Sequence, residues 1–139
     1  MPTLEKVQEI FALIDAGELQ AFFEHVADDV DWTVKGTYCP TSGHYPSKQA
    51  FQEGTRTLTS TWATPLKLVV QDIIFDGKSK AAVELKAVDV ECKNGLKFTN
   101  EYVWVCHFDG NDRIVKVNAF MDTDLVTRAI QQNGENGAM

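Results

Sequence analysis

The chain has 139 residues, 44% of them hydrophobic and 24% charged, with a net charge of −7. That length and composition fit one globular domain able to bury a core without disulfide or metal staples. The acidic balance and the lack of a Lys/Arg cluster argue against nucleic acid as a partner, and no apolar run approaches the ~20 residues of a membrane helix.

Cys39, Cys92 and Cys106 are odd in number and lack metal-type spacing. Reduced thiols in a cytoplasmic protein are therefore expected. No basic segment followed by an apolar stretch opens the chain, which agrees with that location. No Gly-rich phosphate loop and no histidine–carboxylate spacing stands out, so no cofactor and no metal are expected.

Leu4, Val7, Ile10, Phe11 and Ile14 recur at helical spacing, and Gly17 supplies a stop. Leu19, Phe22, Phe23 and Val26 mark a second short helix. Val30 to Val34 alternates as a strand does. Residues 36–46 hold two glycines and two prolines and read as a loop. Ser47 is a suitable N-cap for a third helix, with Phe51, Thr55, Leu58 and Trp62 on one face and Pro65 ending it.

The period then changes. Four strands are expected, over 66–75, 81–92, 98–108 and 114–121, separated by Asp76-Gly77, Asn94-Gly95 and Asp109-Gly110. Long antiparallel strands in a small domain curl, and the three helices must cover one face. A short C-terminal helix follows Asp122, whose role is structural, and residues 131–139 read as a frayed polar tail.

Strand alternation sorts the side chains. Phe98, Asn100, Tyr102, Trp104, Cys106 and Phe108 share an inner row, as do Val115, Val117, Ala119 and Met121. Val83, Leu85, Ala87, Asp89 and Glu91 share a third. Asp89, Asn100 and Tyr102 thus fall on apolar inner rows, where an unpaired carboxylate is costly. Such a cluster fits a ligand pocket, or else a pair of hydrogen-bonded side chains beside a wet strand end. A single β-bulge would move Asp89 to the outer face.

In the pocket reading, Asp89 is the acid/base group and Tyr102 donates to a developing oxyanion. Asn100 orients a water or carbonyl, while Trp32, Trp104 and Met121 wall the site. The loop from Tyr38 to Tyr45 closes the mouth, with His44 placed for proton shuttling or simply exposed. His25 and His107 read as structural or surface residues. On the outer rows, Val103, Val105 and Phe120 are apolar where a lone sheet would face water, which points to a homodimer.

Several stretches then carry a resemblance. Phe11 to Leu19, Val26 to Val30 and Trp32 to Gly36 followed by Pro40 and Gly43 resemble the opening of ketosteroid isomerases and SnoaL-like cyclases. Phe108-Asp109-Gly110, Arg113-Ile114 and Phe120-Met121-Asp122 resemble that family's closing hairpin, so the likeness spans roughly residues 4–130. It implies the nuclear transport factor 2-like fold: α+β, with a cone-shaped curved antiparallel sheet wrapped over three N-terminal helices. It also implies a two-fold dimer through the outer sheet face.

It does not fix an activity. The positions matching the isomerase's helix-1 tyrosine, first-strand aspartate and fourth-strand aspartic acid hold Ile10, Val34 and Trp104, none able to do that chemistry. Against the related limonene epoxide hydrolase, Asp89 matches the first catalytic aspartate. The arginine, second aspartate, tyrosine and asparagine positions hold Ala87, Ala119, Trp32 and Val34. Two readings stand: a cofactor-free acid/base enzyme acting on an apolar oxygenated compound such as a polyketide or terpenoid, and a non-catalytic binding or dimerisation domain.

Overall fold

The structure, a computed structural model, describes residues 2–133. Thr3 caps α1 (Leu4–Asp15) by accepting from the Lys6 N–H at 3.1 Å, and Val7, Ile10, Phe11 and Ile14 bury its apolar face. Gly17 takes φ +77°, a conformation that costs glycine least, and turns the chain into α2 (Leu19–Phe23). Val26 does not extend that helix as its spacing predicts; it opens β1 (Val26–Val34).

The following loop is not wholly irregular, because Gly43–Tyr45 forms a short strand, β2, paired with the end of β1. Ser47 caps α3 (Lys48–Gly54), accepting from the Ala50 N–H at 3.0 Å. The expected third helix breaks at Thr55, and α4 (Arg56–Thr59) follows as a separate turn.

The sheet is completed by β3 (Leu68–Phe75), β4 (Lys80–Ala87), β5 (Glu101–Phe108) and β6 (Ile114–Met121), and α5 (Thr123–Asn133) ends the described chain. The strand order is β2-β1-β6-β5-β4-β3. Every pair is antiparallel except β1 with β6, which run parallel, so the expected all-antiparallel sheet is mixed. β1 enters under the helices and lies against the last strand, which only a long crossover through the rest of the fold permits.

Residues 131–133, expected to fray, belong to α5, where the Asn133 carboxamide accepts from the Asn94 N–H at 2.7 Å. The remainder of that tail lies outside the described residues. Asp122 caps α5, accepting from the Leu125 N–H at 3.1 Å, in keeping with a structural role.

Two irregularities decide which side chains face inward. Ala87 N–H donates to the Asn100 carbonyl (2.8 Å) and Phe98 N–H to that of Val90 (2.9 Å), so Val88 and Asp89 together oppose Thr99 alone. That extra residue is a bulge, with Asp89 at φ 55°. A second register shift, where His107 pairs with Lys116 but Phe108 with Ile114, makes Val115 the extra residue and turns Ile114 inward.

Candidate functional site: an aromatic cavity

Helices α2 to α4 do not fill the hollow of the sheet. Between them and β1, β5 and β6 lies a cavity of about 280 Å³. Its walls include Phe23, Trp32, Phe51, Trp62, Tyr102 and Trp104, so every tryptophan of the chain lines it. Trp32 stacks on Phe51 (ring centroids 4.2 Å) and meets Trp104 edge-on at 5.3 Å. Those contacts fix the rings in the offset and T-shaped arrangements that aromatic quadrupoles favour. Leu19, Leu58, Leu66, Leu68 and Met121 complete the apolar lining.

Among the described residues no carboxylate, imidazole, ammonium or guanidinium group lines the cavity. The polar lining is Tyr102, Gln52 and three threonines, Thr41, Thr55 and Thr59. Two of those hydroxyls are engaged by their own helices: Thr55 donates to the Phe51 carbonyl (2.8 Å) and Thr59 to that of Arg56 (3.1 Å). Tyr102 is the one lining side chain with a titratable proton. Burial pushes its phenol up to about 12, and the neighbouring Asn100 amide offsets part of that rise. At neutral pH it is a hydrogen-bond donor and never a base.

Asn100 is fully buried behind Tyr102, and its carbonyl oxygen accepts from the Asp122 N–H at 3.2 Å. Its Nδ2 finds no acceptor among the described residues, nor do the indole N–H groups of Trp32 and Trp62. Buried donors without partners are uncommon, since each costs about 1–3 kcal/mol of unrecovered solvation.

The residues expected at the site divide evenly. Trp32, Tyr102, Trp104 and Met121 line the cavity, whereas Asp89, Asn100, Tyr38 and His44 do not. Asp89 is the main correction. The bulge turns it outward, its side chain is 86% exposed, and it pairs with Lys67 at 3.8 Å. It is not a desolvated carboxylate and does not reach the cavity. Tyr38 stands 93% exposed on its loop rather than over the mouth.

His44 lies on the outer side of β2, its Nε2 2.7 Å from the Asp31 carboxylate, with both groups about half exposed. Thr41 takes the place expected of that loop's aromatic residues: the Tyr45 hydroxyl donates to its carbonyl at 2.6 Å and holds it against the cavity. The face of Phe51, Thr55, Leu58 and Trp62 is one part of the lining not expected at the site; Leu19, Phe23, Leu66 and Leu68 are another. The helical spacing of the first is plain in the sequence, but spacing alone does not separate a core face from a cavity wall.

Among the described residues no group of three or more His, Cys, Asp or Glu converges as metal ligands do. No helix among the described residues is long and apolar enough to cross a membrane. No family model matches the sequence, and no curated protein is similar to it.

Solved structures do match. An NTF2-like protein of unknown function from Burkholderia pseudomallei is 23% identical, with a TM-score of 0.69 over 89% of this chain and 93% of that one. The chain has the NTF2-like fold. TerC co-crystallized with polyporic acid superposes with a TM-score of 0.70 at 14% identity, over 94% of this chain and 99% of that one. A steroid delta-isomerase from Pseudomonas aeruginosa does so at 0.60 and 11%, over 91% and 86%. At such identities the NTF2-like likeness is one of fold.

Proposed function

We propose that this NTF2-like cone binds a small, uncharged, largely apolar molecule whose carbonyl-type oxygen is held by the Tyr102 hydroxyl. The observation that carries the reading is an aromatic cavity with no charged lining and one phenol kept protonated. An anionic ligand would lose its hydration there with no cation to replace it. The volume, at the small end for ligand sites, suits two or three fused rings. TerC, a solved structure of this fold, was co-crystallized with polyporic acid, a precedent for a small-molecule ligand in the fold.

A second reading, isomerase-type chemistry, is favoured by the same phenol, because a protonated donor in a dry site stabilises an oxygen that gains charge. No lining side chain is a base at neutral pH, so proton abstraction would fall to water or to the substrate itself. SnoaL-like membership within the fold rests on the order of motifs from Phe11 to Asp122. A cytoplasmic location belongs to the same reading and is supported by three buried free cysteines.

The test uses 9-fluorenone against fluorene, two flat molecules of nearly one shape that differ in a carbonyl. Tryptophan fluorescence reports binding, since all three indoles line the cavity. The expected result is fluorenone binding about tenfold tighter than fluorene, equivalent to about 1.4 kcal/mol. Its carbonyl stretch should move to lower frequency. Tyr102→Phe should remove the preference while leaving fluorene binding intact. If neither compound binds, the cavity is not a ligand site; equal binding of the two would overturn the role given to Tyr102.

A further inference from the structure

The polar groups of the cavity lining sit on opposite layers of the fold and differ in what they offer a ligand. The sheet contributes Tyr102 from β5, a hydroxyl kept protonated. The helix layer contributes Gln52 from α3, Thr55 at the break between the helices and Thr59 from α4. Among the described residues, Gln52 and Thr59 are the two exposed members of the lining, so they stand at the rim where the cavity meets solvent. Thr41, the other polar lining residue, is buried in its loop beside the Cys39 thiol, 3.6 Å away.

The rim offers lone pairs more than protons. The Thr55 and Thr59 hydroxyls each donate their single proton to a carbonyl of the preceding turn, Phe51 at 2.8 Å and Arg56 at 3.1 Å. What remains on each oxygen is acceptor capacity. The Gln52 carboxamide makes no hydrogen bond to another described residue, and its oxygen is a further acceptor. A ligand carbonyl arriving at the rim meets the lone pairs of two threonines. A ligand hydroxyl or N–H is satisfied by any of the three oxygens.

We infer that Gln52 and Thr59 form a second polar anchor for the ligand of Tyr102, one that takes a hydrogen-bond donor. The inference rests on the ketone-binding reading and adds a direction to it. The molecule lies with its carbonyl toward the sheet, on Tyr102, and a hydroxyl or N–H toward the helices, on the rim. Its class is a fused-ring ketone hydroxylated on the edge opposite the carbonyl. An anionic group in that place is disfavoured, since the rim holds acceptors and no cation. Exposure of the rim also sets the size of the effect. A hydrogen bond formed there replaces one to water, so the rim selects among ligands by several-fold while the aromatic walls supply most of the affinity.

Two ketones of nearly one shape test this, 4-hydroxy-9-fluorenone and 4-methyl-9-fluorenone, which differ in a donor on the edge away from the carbonyl. Tryptophan fluorescence on the full chain reports the binding of each. The hydroxyl compound is expected to bind about fivefold tighter, the size of one net hydrogen bond. Its carbonyl stretch should lie lower on the wild-type protein than on Tyr102→Phe, which shows both ends held at once. Gln52→Leu combined with Thr59→Val removes the rim acceptors at exposed positions that the fold does not need, and should abolish the preference. Equal binding of the two ketones overturns the anchor and leaves the role of Tyr102 standing. So does binding of 9-fluorenone but of neither derivative, because the far edge then has no room for a group. A preference that survives in the double variant overturns it too. So does a carbonyl stretch that Tyr102→Phe moves for 9-fluorenone but not for the hydroxyl compound, which then lies reversed. Failure of all three ketones to bind overturns the reading on which the anchor rests.

Discussion

Trp104 and Val105 are neighbours on β5, yet they belong to surfaces of different kinds. Trp104 faces a wall in which Phe22, Trp32 and Tyr102 lie within about 6.1 Å, ring centre to ring centre, and no charge intrudes. Val105 faces outward between Ala82 and Asn118, in a surface where charged rows flank an uncharged one. The inner face gets its specificity from shape and a few buried donors, because any charge there would have to be desolvated. The outer face keeps its charges solvated, so they carry no desolvation cost there.

The sharpest way to break this comparison is to truncate the inner member of the pair. Trp104→Ala removes a nearly buried indole from three ring contacts, counting its edge-to-face pair with Trp32, and is expected to cost about 3–5 kcal/mol in urea unfolding. Val105→Ala on the other face should cost under about 1 kcal/mol in the monomer. Equal costs would mean that the two faces are not packed as differently as described.

A smaller effect tests how the cavity wall is held. Gly54 closes α3 directly beneath the Tyr45 ring, where an added Cβ would collide with Cε1. Tyr45 in turn fixes Thr41 and packs edge-on against Phe51, both part of the cavity lining. Gly54→Ala should therefore destabilise by about 1–3 kcal/mol and weaken fluorene binding along with it. Loss of stability with fluorene binding unchanged would show that the Tyr45 brace does not shape the cavity.

Much of this division was legible in the sequence, because alternation is a strong signal wherever a strand is regular. All six residues assigned to the inner row of 98–108 are turned inward, from Phe98 to Phe108. The expectation failed where the backbone departs from its period. Val88-Asp89-Val90 alternates as well as any strand, and only the backbone, in its pairing and in the φ of 55° at Asp89, reveals the bulge that turns its carboxylate out. Aspartate enters that conformation more readily than most residues, which is a permissive trait and not a signal.

Val115 misled for the same reason. The parallel pairing of β1 with β6 was hidden for another: it joins segments some ninety residues apart and leaves no local mark. The fold was therefore readable from order and spacing, whereas the acid/base assignment turned on a single-residue insertion at Val88-Asp89.

The smallest expected effect concerns His107, a partly buried titratable group on the outer face. Burial first, and then Lys80 and Lys116, hold its pKa below the usual imidazole value. The unfolded chain takes up this proton near pH ~6.5, while the folded chain does so only at lower pH. Between those two values the unfolded state binds more protons, so stability falls as pH drops through that window and is full above it. Asp76 and Asp109 do not confuse the measurement. Backbone N–H groups hold both carboxyls below their usual range, so their contribution is lost only in stronger acid. The difference in urea midpoint between pH 7.5 and pH 5.5, at one protein concentration, should accordingly shrink in His107→Gln. An unchanged difference would assign the acid sensitivity to another group and show that burial and the two lysines do not hold the His107 proton off in this range.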